Sequence, residues 1–288
     1  MPGAAVSFPW SWHPHFEVWG LVAVLLVAFF TALRVLGPSR VEPVEFAATR
    51  RQKTFFLLGC ASILVAADWP MHELSESYLY SAHMIQHMIL TFAAAPLLMM
   101  GTPAWLWRVM LAPPKVLATV RALTRPLVAL IIFNVVLVFT HWPLIVTASV
   151  RTESVHFLLH ALLFASALIM WTPVLSPLLE LPRLSYPGRM IYLFLQSLVP
   201  TVPASFLTFG SEPLYHVYET FPRLWGISAH TDQLVAGLIM KIVGGFILWG
   251  VIAVLWFRWW TLEDKEGVDV LAFGDVDRAL NRAQVAKS

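Results

Sequence analysis

Cysteine and charge are what this chain has least of. One cysteine, Cys60, stands in 288 residues, which excludes an internal disulfide framework and any CxxC metal or redox motif. Charged residues make up 12% of the chain, about half the ~25% of a soluble domain and too few to wet a globular surface. GxSxG, GxxxxGK(S/T) and GxGxxG are also missing, so no nucleophile elbow, phosphate loop or dinucleotide fingerprint is present. The expectation is a protein without enzymatic turnover. A net charge of +2 gives no ground for a nucleic-acid partner.

What the chain has instead is apolar length. Hydrophobic residues reach 58%, with thirteen Trp and nineteen Phe, a composition that fits interfacial aromatic belts and packed helices. A bilayer core of about 30 Å needs roughly 20 mainly apolar residues per helix. Seven segments qualify: Phe16–Leu36, Thr54–Asp68, Ala82–Gly101, Pro126–Ala148, Glu153–Leu175, Met190–Phe209 and Asp232–Trp259. The expected fold is therefore all-α, a polytopic integral membrane protein built as a bundle of seven transmembrane helices in the lipid bilayer. Residues 1–260 form the transmembrane domain and 261–288 a short polar cytoplasmic tail, with a short helix Asp275–Val285 capped by Asp275.

Basic residues orient the bundle. Sixteen of the nineteen Lys and Arg fall in the first, third and fifth loops and at the C-terminal end; the opposite side has Arg151 and Arg223 only, and Lys241 lies inside a helix. Positive loops stay cytoplasmic, which puts the N-terminus outside and the C-terminus in the cytoplasm. No Lys or Arg precedes Arg34 and no small-x-small site follows the first apolar stretch, so the first helix is expected to stay in the membrane.

Under this topology all ten histidines lie on the outer side. Four form one-turn pairs, His83/His87 in SAHMIQHMIL and His156/His160 in SVHFLLHALL. Spacing i,i+4 stacks both imidazoles of a pair on one helix face. Two such faces, brought together, offer four nitrogen ligands to a metal or a haem. His72, His141 and His230 are secondary candidates, as are Met84 and Met88, which run as a stripe beside the first pair. His13, His15 and His216 carry less weight. Asp68 and Asp232 are further functional candidates, and they share the outer layer with Glu153 and Met71. Imidazole suits Cu, Zn, Fe and Ni, and thioether adds a preference for Cu(I), so copper is favoured over zinc. A lone interfacial imidazole serves equally well as an interhelical hydrogen-bonding group; two pairs on different helices at one depth tip the reading toward ligands. Cys60 lies deep and toward the other side, as a small core residue.

Lys241 is the other outlier, about 16 Å beyond His230 along the last helix and close to the midplane, where a Lys costs roughly 2.5–3.5 kcal/mol. Asn134, Gln196 and carbonyls freed by Pro200 and Pro203 are its expected partners. Functional use and structural buttressing of Lys241 stand level. Pro96, Pro143, Pro200 and Pro203 interrupt the third, fourth and sixth helices.

At these residues the sequence resembles the polytopic CtaG family of cytochrome c oxidase assembly proteins (caa-type oxidase assembly). The matching stretches are SAHMIQHMILTFAAAPLLMMGTP, THWPLIVTASVRTESVHFLLHALLFASALIMWTPVLSP, PGRMIYLFLQSLVPTVPASFLTFGSEPLY and HTDQLVAGLIMKIVGG, together most of residues 68–250. Two positions depart from the pattern: Leu159, where an acidic residue is usual, and Lys241, where the residue is usually apolar or aromatic. The resemblance implies a bacterial plasma-membrane protein, multi-pass, that serves cytochrome c oxidase subunits at copper delivery, with a soluble extracytoplasmic copper chaperone as a possible partner.

Three functions compete. A copper-binding assembly factor, or metallochaperone, would hold the ion on His83, His87, His156 and His160. A haem-binding membrane oxidoreductase would need only one axial His from each of the third and fifth helices. A copper-uptake permease would need polar or thioether groups continuing inward, and the chain supplies only Lys241, Asn134, Gln196 and scattered Met. A purely structural scaffold for an oxidase intermediate would leave the histidines dispensable.

Overall fold

The protein is described from a computed structural model that covers residues 6, 8, 10–40 and 47–285, with side chains throughout these except 265–277 and 279–285. Among the described residues every extended element is helical, joined by one parallel bridge between Val6 and Leu224. The helices are α1 (Phe16–Val35), α2 (Arg50–Ala67), α3 (Met71–Ser77), α4 (Tyr80–Gly101), α5 (Ala104–Met110), α6 (Pro114–Leu123), α7 (Pro126–Thr140), α8 (Pro143–Arg151), α9 (Glu153–Leu175), α10 (Tyr186–Leu198), α11 (Thr201–Phe209) and α12 (229–285). Six stretches are long and apolar enough to cross a bilayer, and the pair α6/α7, bent by 75°, brings the number to seven.

Helix ends follow from local chemistry. Thr49 and Gln52 close a capping box on α2: Gln52 N–H donates to Thr49 Oγ1 and Thr49 N–H donates to Gln52 Oε1. Ser185 and Ser228 accept from Gly188 N–H and Thr231 N–H at the starts of α10 and α12. Proline sets most of the breaks. Pro96 has no N–H to give, and α4 relaxes into a π turn over Leu90–Ala94 just before it. Pro200 separates α10 from α11. A second π turn, Ile239–Val243, interrupts α12 and carries Lys241.

Two expectations need correction. The fourth crossing does not run to Ala148. It stops at Thr140, and Trp142 is extended (ψ 132°) before α8 starts at Pro143. The residue preceding a proline is pushed out of the α region, so Pro143 terminates this helix where a kink was expected. Likewise no helix begins at Asp275: the helix from Gly244 continues unbroken to Val285, leaving position 275 in its interior.

α4 is the hub, packed against α2, α9 and the first half of α12. Its closest approach is at Gly101, where an added Cβ would fall within 2.7 Å of Phe56 Cα on α2; glycine lets the two backbones touch. Gly237 does the same for α12 against α11, where a Cβ would meet Thr208 Oγ1 at 2.6 Å. The main core gathers Tyr80, Met84, Phe133, Leu163, Trp171 and Leu193 from four helices. Below the first helix pair, Phe29 of α1 stacks on Phe56 of α2 at 3.8 Å, and Cys60 is buried in that second cluster.

Candidate metal centre

The first turn of α4 is fixed from a distance. Tyr80 N–H and Ser81 N–H donate to the two carboxylate oxygens of Asp232 at 2.7 and 3.0 Å, so α12 caps α4. One turn on, buried Gln86 donates from Nε2 to the Ala66 carbonyl of α2 at 2.8 Å. Just past His87 the π turn begins, and its Thr91 carbonyl accepts from Trp171 Nε1 of α9 at 2.9 Å. These three ties set the depth and rotation of His83 and His87.

α9 brings the second pair to the same level. Ring centroids lie 4.2 Å apart within each pair. Across the helices they are 4.9 Å for His87–His160, 5.3 Å for His83–His160 and 5.5 Å for His83–His156. His87 Nε2 sits 3.1 Å from His160 Nε2. One nitrogen each from His83, His87 and His160 fall within 4.8 Å of one another, close enough that small side-chain rotations would let the three share one ion. His156 borders this triad but turns its Nε2 to Glu76 Oε1, 3.0 Å away. His87 is buried, while His83 and His160 are half-buried.

The buried nitrogens test the fit. Among the described residues five imidazole nitrogens, of His15, His72, His83, His87 and His141, are buried with no hydrogen-bond partner. Each such orphan costs roughly 1–3 kcal/mol if nothing answers it. A cation bound by neutral imidazoles answers several at once.

The secondary candidates divide. His141 ends α7 with its ring 5.9 Å from His87 and its Nδ1 2.7 Å from its own Leu137 carbonyl. Its backbone carbonyl accepts from Tyr215 Oη at 2.8 Å, a hydroxyl whose pKa burial pushes up to about 12, so it remains a donor. His72 joins the edge of the cluster, 6.2 Å from His156 by ring centroid and 3.1 Å from Glu76 Oε1. His230 is elsewhere, its Nε2 2.9 Å from the Gly210 carbonyl. Exposed His216 pairs with Glu219, and His13 is exposed. Met84 packs into the main core. Met88 lines a small cavity of about 30 Å³, with His87, His141, Thr201 and Lys241 also on its wall; that is room for about one water-sized species.

The acidic candidates hold structure. Asp232 is the α4 cap, and Asp68 accepts from Trp19 Nε1 at 2.7 Å, tying α1 to the end of α2. Lys241 does not find the partners expected of it. Asn134 donates to Gln196 at 2.6 Å, and Gln196 in turn donates to Tyr192 Oη at 3.0 Å, while Asn134 Oδ1 is buried with no hydrogen-bond partner. The Lys241 ammonium instead lies 5.9 Å from the Phe209 ring centroid, with its side chain exposed at the cavity mouth. Sequence reasoning missed Glu76, although HELSE carries a third i,i+4 pair, His72/Glu76.

Nothing matches in comparisons with curated proteins or with solved structures. The family model of the cytochrome c oxidase caa3 assembly factor matches residues 27–261, a span that contains both histidine pairs, and the chain belongs to that family of oxidase assembly factors.

Proposed function

We propose that the chain binds a copper ion on His83, His87 and His160 and passes it to a subunit of the oxidase it helps assemble. The observation that carries this reading is the convergence of three imidazoles from two helices, with nitrogens within 4.8 Å of one another. Copper here is cargo, and delivery requires ligands that let go. Neutral imidazoles exchange more readily than thiolates, and the only cysteine, Cys60, is buried in a different cluster. His156 and Met88 stand next to the triad as places for the ion to move to. The asymmetry of basic residues orients the histidine end outward, toward the extracytoplasmic side of a bacterial plasma membrane, where a soluble copper donor can reach it. The role is binding and transfer, without turnover.

Copper is favoured over haem on spacing. His87 Nε2 and His160 Nε2 are 3.1 Å apart, which leaves no gap for a porphyrin plane between them, and the adjoining cavity of about 30 Å³ is far below the size of a haem. The test is copper per chain in the purified protein, wild type against His87→Ala/His160→Ala, together with cytochrome c oxidase activity of membranes from cells carrying each. The variant should lose one copper ion per chain and most oxidase activity. Unchanged copper content, or a Soret band in the wild type, would remove the reading.

A further inference from the structure

The triad does not exhaust the ligands at this end of the bundle. Glu76, on the short helix α3, places Oε1 3.1 Å from His72 Nε2 and 3.0 Å from His156 Nε2, one carboxylate oxygen between imidazoles of two helices. His15, from the start of α1, lies against His72 at 4.1 Å between ring centroids. His15 Nε2 and His72 Nδ1 are among the buried nitrogens without a hydrogen-bond partner. The side chains of Glu76 and His72 are 27% and 21% exposed, against 9% for His156, so this group opens to the surface and closes toward the triad. From His156 the next ring is His160, 4.2 Å on.

We propose that His72, Glu76 and His156, with His15 at the rim, form a second metal site that accepts a divalent transition-metal ion from outside and hands it inward. The donor chemistry separates it from the triad. A carboxylate beside imidazoles suits Cu(II) or Zn(II), whereas an all-imidazole triad beside a thioether also accommodates Cu(I). His156 belongs to the outer set through Glu76 and to the inner set through His160, and a shared ligand is what a stepwise transfer needs. The transfer direction rests on the triad reading above; the existence of the outer site does not.

The full chain in detergent micelles, in a His13→Ala/His216→Ala background that removes two exposed imidazoles, is dialysed against Cu(II) and its metal counted. The expected result is two copper ions per chain in that background. One ion should remain in Glu76→Gln and in His72→Ala, and one in His87→Ala/His160→Ala. The ion left in that last variant should give a Cu(II) resonance spectrum of mixed nitrogen and oxygen ligation. A single ion in the background protein that both Glu76→Gln and His72→Ala leave in place overturns the proposal, whereas a single ion that His87→Ala/His160→Ala retains would sink the triad instead. Two ions retained in both Glu76→Gln and His72→Ala overturn it as well. Loss of both ions in Glu76→Gln would make the carboxylate part of the inner centre and end the claim of a separate site. Two ions retained in His87→Ala/His160→Ala would sink the triad instead and leave the outer site standing.

Discussion

α4 and α9 each open with a histidine pair one turn apart, yet their backbones are secured differently. At α4 the N–H groups of Tyr80 and Ser81 are answered by Asp232, 152 positions beyond Tyr80 in the chain, and Gln86 anchors the next turn to α2. At α9 the N-cap is Thr152, whose side chain makes no cap hydrogen bond, and its first residues are exposed. Identical spacing in sequence thus yields one pair on a helix whose first N–H groups are capped from α12, and one on a helix with no side-chain cap, held at its first histidine by Glu76 and Ser149. A site that takes up and releases an ion benefits from that difference, since one face fixes position while the other yields.

The strongest way to break the contrast is at Asp232. Asp232→Ala leaves two backbone donors of α4 without an acceptor, one of them buried, and should cost about 2–4 kcal/mol. Asp232→Asn keeps one carbonyl oxygen and should recover part of this. Thermal unfolding in micelles reads both, and a loss no larger than that of Thr152→Ala would erase the difference drawn between the helices. A smaller effect is expected from Gln86→Leu. It preserves volume but strips the Ala66 carbonyl of its donor, for about 1–2 kcal/mol, with the copper count unchanged because Gln86 touches α2 and not the ion.

How much of this was legible follows from range. The pairs His83/His87 and His156/His160 were readable because i,i+4 geometry is local and any helix imposes it. Their mutual approach was an inference from depth. Glu76 escaped because its partner His156 lies across a tertiary contact, 80 residues away in sequence, while its local partner His72 was weighed alone. Asp232 was read as a site candidate from its company, and only the packing of α12 on α4 makes it a cap. The π turns were hidden for the same reason: Pro96 announces a disturbance, but where α4 absorbs it depends on Trp171 being placed to bond Thr91. At the fourth crossing Pro143 was seen, and its effect on the preceding Trp142 was underestimated.

The contrast can also be sharpened from its weak side. Thr152 has the extended backbone of an N-cap (φ −142°, ψ 107°) but contributes no side-chain bond. Asparagine caps somewhat better than threonine in that conformation, and the position is exposed, so Thr152→Asn meets no packing constraint. The expected gain is a few tenths of a kcal/mol, at most about 1, read as an apparent Tm higher by roughly 1–3 °C. Its value lies in the accompanying metal measurement. If the yielding end of α9 is what lets the ion leave, stiffening it should slow copper transfer to an acceptor chelator while leaving the copper count at equilibrium unchanged. A rate that does not move, alongside a Tm that does, would show that release is governed by the ligands and not by the helix that carries His160.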